Sequence, residues 1–187
     1  ILNTWNKLHP RFVASHPMTG TEESGVNAGR HDLFKNKPWV VTPNKETDKK
    51  ALEIVRQITF SLGSKWISSE AQIHDEAVSL ISHLPVFISA ALLNTLSEDM
   101  NPFLYSLAKN IASSGFADTS RVGGGNPELG VSMAKFNKKH LMKSLSSYRQ
   151  SLDLIEKCLL EENWNDLEKI LVNTQKKRRN FIAKPTD

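Results

Sequence analysis

The apolar residues of this 187-residue sequence change their spacing near residue 70, and this change limits the possible fold more than any other feature. Before it, strand-like runs at residues 12–15 and 39–41 alternate with helical segments. After it, the spacing is helical to the end of the chain. The sequence therefore predicts a mainly α protein, with the C-terminal edge of an α/β domain over residues 1–68 and an all-helical domain over residues 69–187.

The first region fits the carboxyl-side edge of a nucleotide-binding sheet. Residues 47–62 are spaced as a helix that Gly63 closes, and a short strand is expected at residues 64–67. No G-x-G-x-x-G motif follows a strand, because the glycine cluster at 123–125 has Glu128 where the third glycine belongs. We therefore expect this chain alone to lack the part that holds a dinucleotide.

The second region is expected to begin with a long helix that is buried inside a bundle. One face of this helix is apolar and consists of Ala77, Leu80, Ile81, Leu84, Ile88, Ala91 and Leu92. Pro85 is expected to kink it, because the proline ring clashes with the carbonyl one turn back. After a short helix at residues 103–112, two further helices are expected.

The first of those later helices carries a heptad seam. Apolar residues recur in steps of four and three residues: Leu141, Leu145, Tyr148, Leu152, Ile155 and Leu159. Such a seam fits either an intramolecular bundle or the interface of a homodimer. Because the long first helix is apolar nearly all round, we expect a homodimer.

Charge and composition exclude several classes of protein. The net charge of +4 is carried by four basic residues at 176–179, so a broad nucleic-acid-binding face is not expected. The single Cys158 cannot form an internal disulfide, which fits the cytoplasm. The longest apolar run, residues 84–93, is too short to span a bilayer, which takes about 20 residues.

A histidine at the end of the first strand is the leading candidate for chemistry. Residues 12–25 read FVASHPMTGTEESG, so an apolar run leads into a polar turn that carries His16. Open α/β sheets keep their ligand crevice at strand ends, a location that suits a catalytic base. A hydrogen-bonded turn histidine is the structural alternative.

The other histidines do not predict a metal site. His74 and His83 are nine residues apart, about 900° of rotation on an α-helix, so they are expected on opposite sides of it. No metal is therefore expected.

An ordered set of motifs resembles the prephenate/arogenate dehydrogenase family. The motifs are HPMTGTE at 16–22, WVVTP at 39–43, His74-Asp75, SHLP at 82–85 and SGFADTSR at 114–121. The resemblance implies oxidative decarboxylation of arogenate or prephenate in tyrosine biosynthesis, with NADP or NAD as cofactor. It also implies the far edge of a Rossmann domain followed by a helical dimerisation domain.

The resemblance assigns roles to single residues. His16 matches the catalytic histidine that takes the substrate hydroxyl proton, and Arg121 matches the arginine that binds the ring carboxylate. Substrate binding is further implied for three residues, which are Thr21, Glu22 and Ser82. Cofactor binding is implied for a stretch of the same motif, which is His16, Pro17, Met18 and Gly20.

Two positions depart from the prephenate-specific pattern. Val86 stands where many members have a second histidine after SHLP, and Ala117 replaces a basic residue found in some members. Both changes remove polar contacts to a substrate side chain, so the resemblance favours arogenate and NADP. The alternative is a non-catalytic helical dimerisation module, which the missing dinucleotide motif would suit.

Overall fold

The computed structural model describes residues 2–20, 25, 28–97 and 100–182. Its strands are β1 (Ser15–Pro17), β2 (Pro38–Val41) and β3 (Lys65–Ser68). Its α-helices are α1 (Leu2–Leu8), α2 (Lys49–Ser61), α3 (Ala71–Val78), α4 (Leu84–Asn94), α5 (Pro102–Ile111), α6 (Ser114–Ser120), α7 (Pro127–Phe136), α8 (Lys138–Leu160) and α9 (Trp164–Ile182). The prediction of a mainly α protein with a sheet edge at its start is confirmed.

The three strands form one small mixed sheet in the order β1-β2-β3. β1 runs antiparallel to β2, and β2 runs parallel to β3. The connection between the parallel strands is α2, which begins where the Asp48 side chain accepts a 2.7 Å bond from the Ala51 amide. It ends at Gly63, whose φ of 68° favours glycine. This is the βαβ pattern of a Rossmann edge.

The position of His16 within the strand differs from the prediction. A strand was expected at residues 12–15 with His16 in the turn behind it, but the ladder pairs His16 with Val40 and Pro17 with Trp39. The pairing continues to Met18, whose amide donates to the Pro38 carbonyl at 2.8 Å. His16 is therefore held by strand pairing, which fixes its backbone more firmly than a turn would.

The long helix predicted after residue 70 is present but is not uniformly α-helical. A π-helical segment, Ser79–His83, lies between α3 and α4. The Leu84 amide donates to the Ser79 carbonyl, five residues back. Pro85 falls in the first turn of α4, where its missing N–H is tolerated. The wider turn directly before Pro85 was not predicted, and the kink at Pro85 stays a prediction.

A 3₁₀ turn, Arg121–Gly124, packs closely against α4. The Gly123 amide donates a 2.8 Å hydrogen bond to the buried Ser89 hydroxyl. A Cβ on Gly123 would lie 2.5 Å from the Ser89 carbonyl carbon and closer still to the Ala90 nitrogen. Only glycine fits there, so this glycine serves helix packing. The same contact fixes the turn that begins with Arg121.

The helix that spans residues 71–94 leaves much apolar surface uncovered. Its length of 24 residues, with a mean hydropathy of 1.7 over an 18-residue window, satisfies the length and composition of a membrane span, which the ten-residue run in the sequence did not suggest. Such values also occur in core helices of soluble proteins. Leu80 and Ile81 are 50% and 58% exposed. These side chains need a covering surface, and the part of the chain that the structure describes does not provide one.

The contacts divide the chain into two compact units, residues 1–141 and 142–187. The second unit consists of most of α8 and all of α9. Of the predicted heptad seam, Leu152 and Leu159 are 46% and 50% exposed. Leu171 and Phe181 of α9 are also exposed. The seam is therefore not closed by packing within this unit.

Candidate active site

A cavity of about 580 Å³ lies in the first unit, between the sheet edge and the helices that follow it. β1 and β2 form one wall, and α3, the π-helical segment and α7 form the other. Its polar and sulphur-bearing lining includes His16, His74, Asp75, His83, Met133 and Asn137. Three imidazoles, a carboxylate and an amide therefore line one partly open cavity.

His16 is hydrogen-bonded through one ring nitrogen to a second histidine. Its Nδ1 lies 3.0 Å from Nε2 of His74, and the two rings meet edge to face at 71°. The other nitrogen of His74, Nδ1, lies 2.9 Å from Oδ1 of Asp75. The three side chains thus form a continuous chain of hydrogen bonds that runs from α3 to β1.

The surroundings of His16 keep its imidazole neutral. Burial lowers the pKa of His16 below its ordinary value of 6.5, and the nearby His74 and His83 lower it further, while Asp75 acts in the opposite direction. A neutral imidazole has a free lone pair near pH 7 and can accept a proton. The geometry therefore suits a general base.

His83 is placed by a second set of contacts. The Asn137 side-chain nitrogen donates to the Asp75 carbonyl at 2.7 Å and lies 3.4 Å from Nδ1 of His83. Burial lowers the pKa of His83, with Asp75 raising it and His74 lowering it. Asn137 itself is buried, at 8% exposure. The amide therefore ties the end of α7 to α3 and to the π-helical segment.

The prediction that His74 and His83 face opposite sides of the helix is wrong. It assumed α-helical rotation throughout, but Ser79–His83 is π-helical and holds more residues in each turn. The extra residue rotates the following chain, and both imidazoles line the same cavity. Among the described residues there is still no group of three or more His, Cys, Asp or Glu side chains arranged to hold a metal ion.

The residues implied by the motifs fall in different places. Pro17 continues β1 beyond His16, while Met18 and Gly20 border a neighbouring depression of about 460 Å³. Ser82 and Arg121 are not among the residues that line the cavity around His16. Two further residues, Thr21 and Glu22, lie outside the described residues.

The sequence reasoning gave no role to His74, Asp75, His83 or Asn137. His74-Asp75 and the histidine of SHLP belong to the motifs, so the sequence did mark these residues. The assumption of α-helical rotation, however, placed His74 and His83 on opposite sides of the helix. Asn137 had a weaker signal, since it is a polar residue at the break between two helices. Its contact with Asp75 joins residues 62 positions apart, which spacing alone cannot reveal.

The chain thus joins the edge of a Rossmann-type nucleotide-binding domain to an all-helical domain, and a cavity lined by three histidines lies between β1 and α3. Two family models match it: "Prephenate dehydrogenase, nucleotide-binding domain" over residues 1–68, and "Prephenate dehydrogenase, dimerization domain" over residues 70–173. The chain belongs to the prephenate/arogenate dehydrogenase family.

Solved structures of the family share the fold. Arogenate dehydrogenase from Synechocystis is 41% identical, with a TM-score of 0.84 over 95% of this chain and 64% of that chain. Prephenate dehydrogenase from Aquifex aeolicus, solved with hydroxyphenyl propionate and NAD⁺, is 29% identical, with a TM-score of 0.87 over 97% of this chain and 63% of that chain.

Curated relatives agree with this assignment. Prephenate dehydrogenase from Bacillus subtilis is 29% identical over 84% of this chain and 42% of the relative. Cyclohexadienyl dehydrogenase from Zymomonas mobilis is 27% identical over 94% of this chain and 59% of the relative. The chain therefore spans about half the length of the curated relatives that it matches.

Proposed function

We propose that this chain carries the acid–base site of a cytoplasmic arogenate/prephenate dehydrogenase that acts in tyrosine biosynthesis. The observation that carries the proposal is a partly buried, neutral His16 that is hydrogen-bonded into a cavity beside a Rossmann edge. A non-catalytic helical module would have no need of a histidine with a lowered pKa that lines a cavity with two further histidines. The enzyme is therefore the better reading.

The proposed chemistry uses His16 as the proton acceptor. The ring substrate bears a hydroxyl and a hydrogen on one carbon and a carboxylate on the opposite carbon. A nicotinamide, when bound, would supply the acceptor for the hydride that leaves the hydroxyl-bearing carbon. His16 takes the hydroxyl proton as the C–O bond becomes a carbonyl. Carbon dioxide then leaves, its bonding electrons make the ring aromatic, and the phenolic oxygen regains a proton.

The nicotinamide end of the cofactor fits beside β1. Met18 and Gly20 border an open depression, and a Cβ on Gly20 would meet nothing within 4 Å. This space continues the strand that carries His16, so a ring held there would lie near the proton acceptor. His16, Pro17, Met18 and Gly20 would contact the nicotinamide. The chain has no glycine motif for the pyrophosphate, so we expect it to be inactive without a complete nucleotide-binding domain.

Arg121 is proposed to bind the ring carboxylate. A guanidinium offers a planar pair of donors that matches a carboxylate. The turn that begins with Arg121 is anchored to α4 through Gly123 and Ser89, so its backbone position is well defined. Thr21, Glu22 and Ser82 are proposed as further substrate contacts on the strength of the motifs.

The substrate is proposed to be arogenate and the cofactor NADP. Val86 and Ala117 replace groups that would give polar contacts to the substrate side chain. The 41% identity to an arogenate dehydrogenase, compared with 29% to a prephenate dehydrogenase, supports the choice of arogenate. The proposals of arogenate as substrate and NADP as cofactor both refer to the complete enzyme and not to this chain alone.

The experiment joins this chain to a complete nucleotide-binding domain and compares kcat/KM for arogenate and prephenate with each cofactor. We expect arogenate with NADP to be preferred. Val86→His restores a polar contact and should raise kcat/KM for prephenate by about tenfold, the worth of a hydrogen bond of roughly 1.4 kcal/mol. A preference for prephenate would contradict the choice of substrate. Oxidation of neither substrate would contradict the proposed function.

The protein is proposed to act as a homodimer. Apolar side chains are exposed along residues 71–94 and on α8 and α9, where none of the described residues covers them. The family model that matches residues 70–173 is described as a dimerization domain. Sedimentation should therefore show a dimer at about 10⁻⁵ M, since obligate interfaces of this kind stay associated at far lower concentration. A monomer at that concentration would contradict the proposal.

A further inference from the structure

We infer that His74 and Asp75 fix His16 in the tautomer with its proton on Nδ1, so that Nε2 is the atom that accepts the substrate proton. His74 and Asp75 are positioning residues in this inference, because they act through His16. The role of this tautomer in catalysis rests on the proposed function, whereas the assignment of the tautomer does not.

The assignment follows from the direction of the hydrogen bonds, beginning at Asp75. An ionised carboxylate can only accept, so Nδ1 of His74, 2.9 Å away, must donate to it. A neutral imidazole carries one proton, so Nε2 of His74 is then an acceptor. It lies 3.0 Å from Nδ1 of His16, which must therefore be the donor. Nε2 of His16 is left with the free lone pair.

Burial makes this chain of bonds effective. The His74 side chain is only 15% exposed, so water competes weakly for its bond to His16. Asp75 is 54% exposed, and its charge is therefore screened by solvent. Asp75 acts by selecting the tautomer of His74. This selection requires a hydrogen bond between the two side chains but not a strong electrostatic field. Among the residues that the structure describes, the remaining titratable group whose charge acts on His16 is His83, from the π-helical segment.

The opposite arrangement would disable the site. If His74 carried protons on both nitrogens, its Nε2 would donate to Nδ1 of His16. A neutral His16 would then hold its proton on Nε2 and could not accept another there. The site therefore needs His74 neutral as well as His16, although only His16 takes part in the proton transfer.

Two matched substitutions at His74 separate its hydrogen bond from its packing. In His74→Gln the amide oxygen can occupy the place of Nε2 and accept from His16. In His74→Leu the side chain remains bulky but accepts nothing. His16 should keep its tautomer in the first variant and lose it in the second.

Long-range proton–nitrogen correlation NMR on the nitrogen-labelled chain reads the tautomer directly. At neutral pH we expect His16 to show a protonated Nδ1 and an unprotonated Nε2. This pattern should persist in His74→Gln and be lost in His74→Leu. A wild-type His16 protonated on Nε2 would overturn the inference, and this measurement needs no variant to fold. An unchanged His16 tautomer in a folded His74→Leu variant would overturn it as well.

Kinetics in the protein with a complete nucleotide-binding domain provide the second readout. We expect His74→Leu to lower kcat by about 10- to 100-fold with KM nearly unchanged, less than loss of the base itself. His74→Gln should recover most of that loss, which a purely structural role would not predict. A wild-type protein with the expected tautomer but no dehydrogenase activity would refute the proposed function while leaving the tautomer assignment standing.

Discussion

Replacing His16 by asparagine in the complete enzyme is expected to lower kcat by roughly 10² to 10⁴-fold with KM little changed. Asparagine keeps a polar group near the position of Nδ1 and can retain the bond to His74. It has no basic nitrogen at the position of Nε2. The change therefore removes the proton acceptor with little effect on ground-state binding. Steady-state kinetics with saturating cofactor provide the measurement.

The pH profiles of the wild-type enzyme and the His16→Asn variant give a second test. Because burial and the neighbouring imidazoles lower the pKa of His16, its proton-accepting form persists below pH 6.5. The wild-type kcat/KM should therefore have an acid limb that lies below pH 6.5, and His16→Asn should abolish this limb. His31→Asn is a matched control, since His31 is exposed and not among the residues lining the cavity around His16. It should leave both kcat and the limb unchanged.

Replacing Arg121 by alanine is expected to raise KM by about 30- to 1000-fold, with a smaller effect on kcat. The reason is the loss of a charge-assisted contact to a carboxylate that is present before the reaction, worth roughly 2 to 4 kcal/mol. Arg121→Lys keeps the charge but not the planar pair of donors, so it should recover only part of the affinity. Arg149→Ala, on the exposed surface of α8, is the matched control.

The two variants have distinct signatures, which makes the pair informative. The expected result is a loss mainly in kcat for His16→Asn and mainly in KM for Arg121→Ala. If both kept near-normal kinetics, neither residue would be at the active site, and the proposed chemistry would fail. If Arg121→Ala alone left kcat and KM unchanged, the ring carboxylate would be bound by other residues. That result would agree with the absence of Arg121 from the lining of the cavity around His16.

Much of the fold could be predicted because it depends on local patterns. The helix predicted at 47–62 is found at Lys49–Ser61, where an N-cap aspartate and a closing glycine mark its ends. The two helices after residue 137 follow their apolar spacing. In contrast, α6 and α7 were not predicted, because their short segments carry glycines and few periodic apolar residues.

The candidate site was harder to predict because it depends on contacts between distant segments. His16 stood out through its motif, but its bond to His74 spans 58 residues and depends on how the sheet edge meets α3. A helical wheel for residues 74–83 assumes an α-helix throughout and places His83 on the wrong face. No simple sequence pattern predicts the π-helical turn that changes this rotation. The motifs held the right histidines, and only the folded chain showed that they share one cavity.

The π-helical segment sets the rotation of α4 about the helix axis relative to α3. If the five residues Ser79–His83 were wound as an α-helix instead, with no change in their number, α4 would turn by roughly 90° relative to α3. Ser89, which anchors the turn that begins with Arg121, would swing away with it, while His74 would stay beside His16. The spacing between His16 and the proposed carboxylate-binding arginine is therefore set by the winding of this one turn.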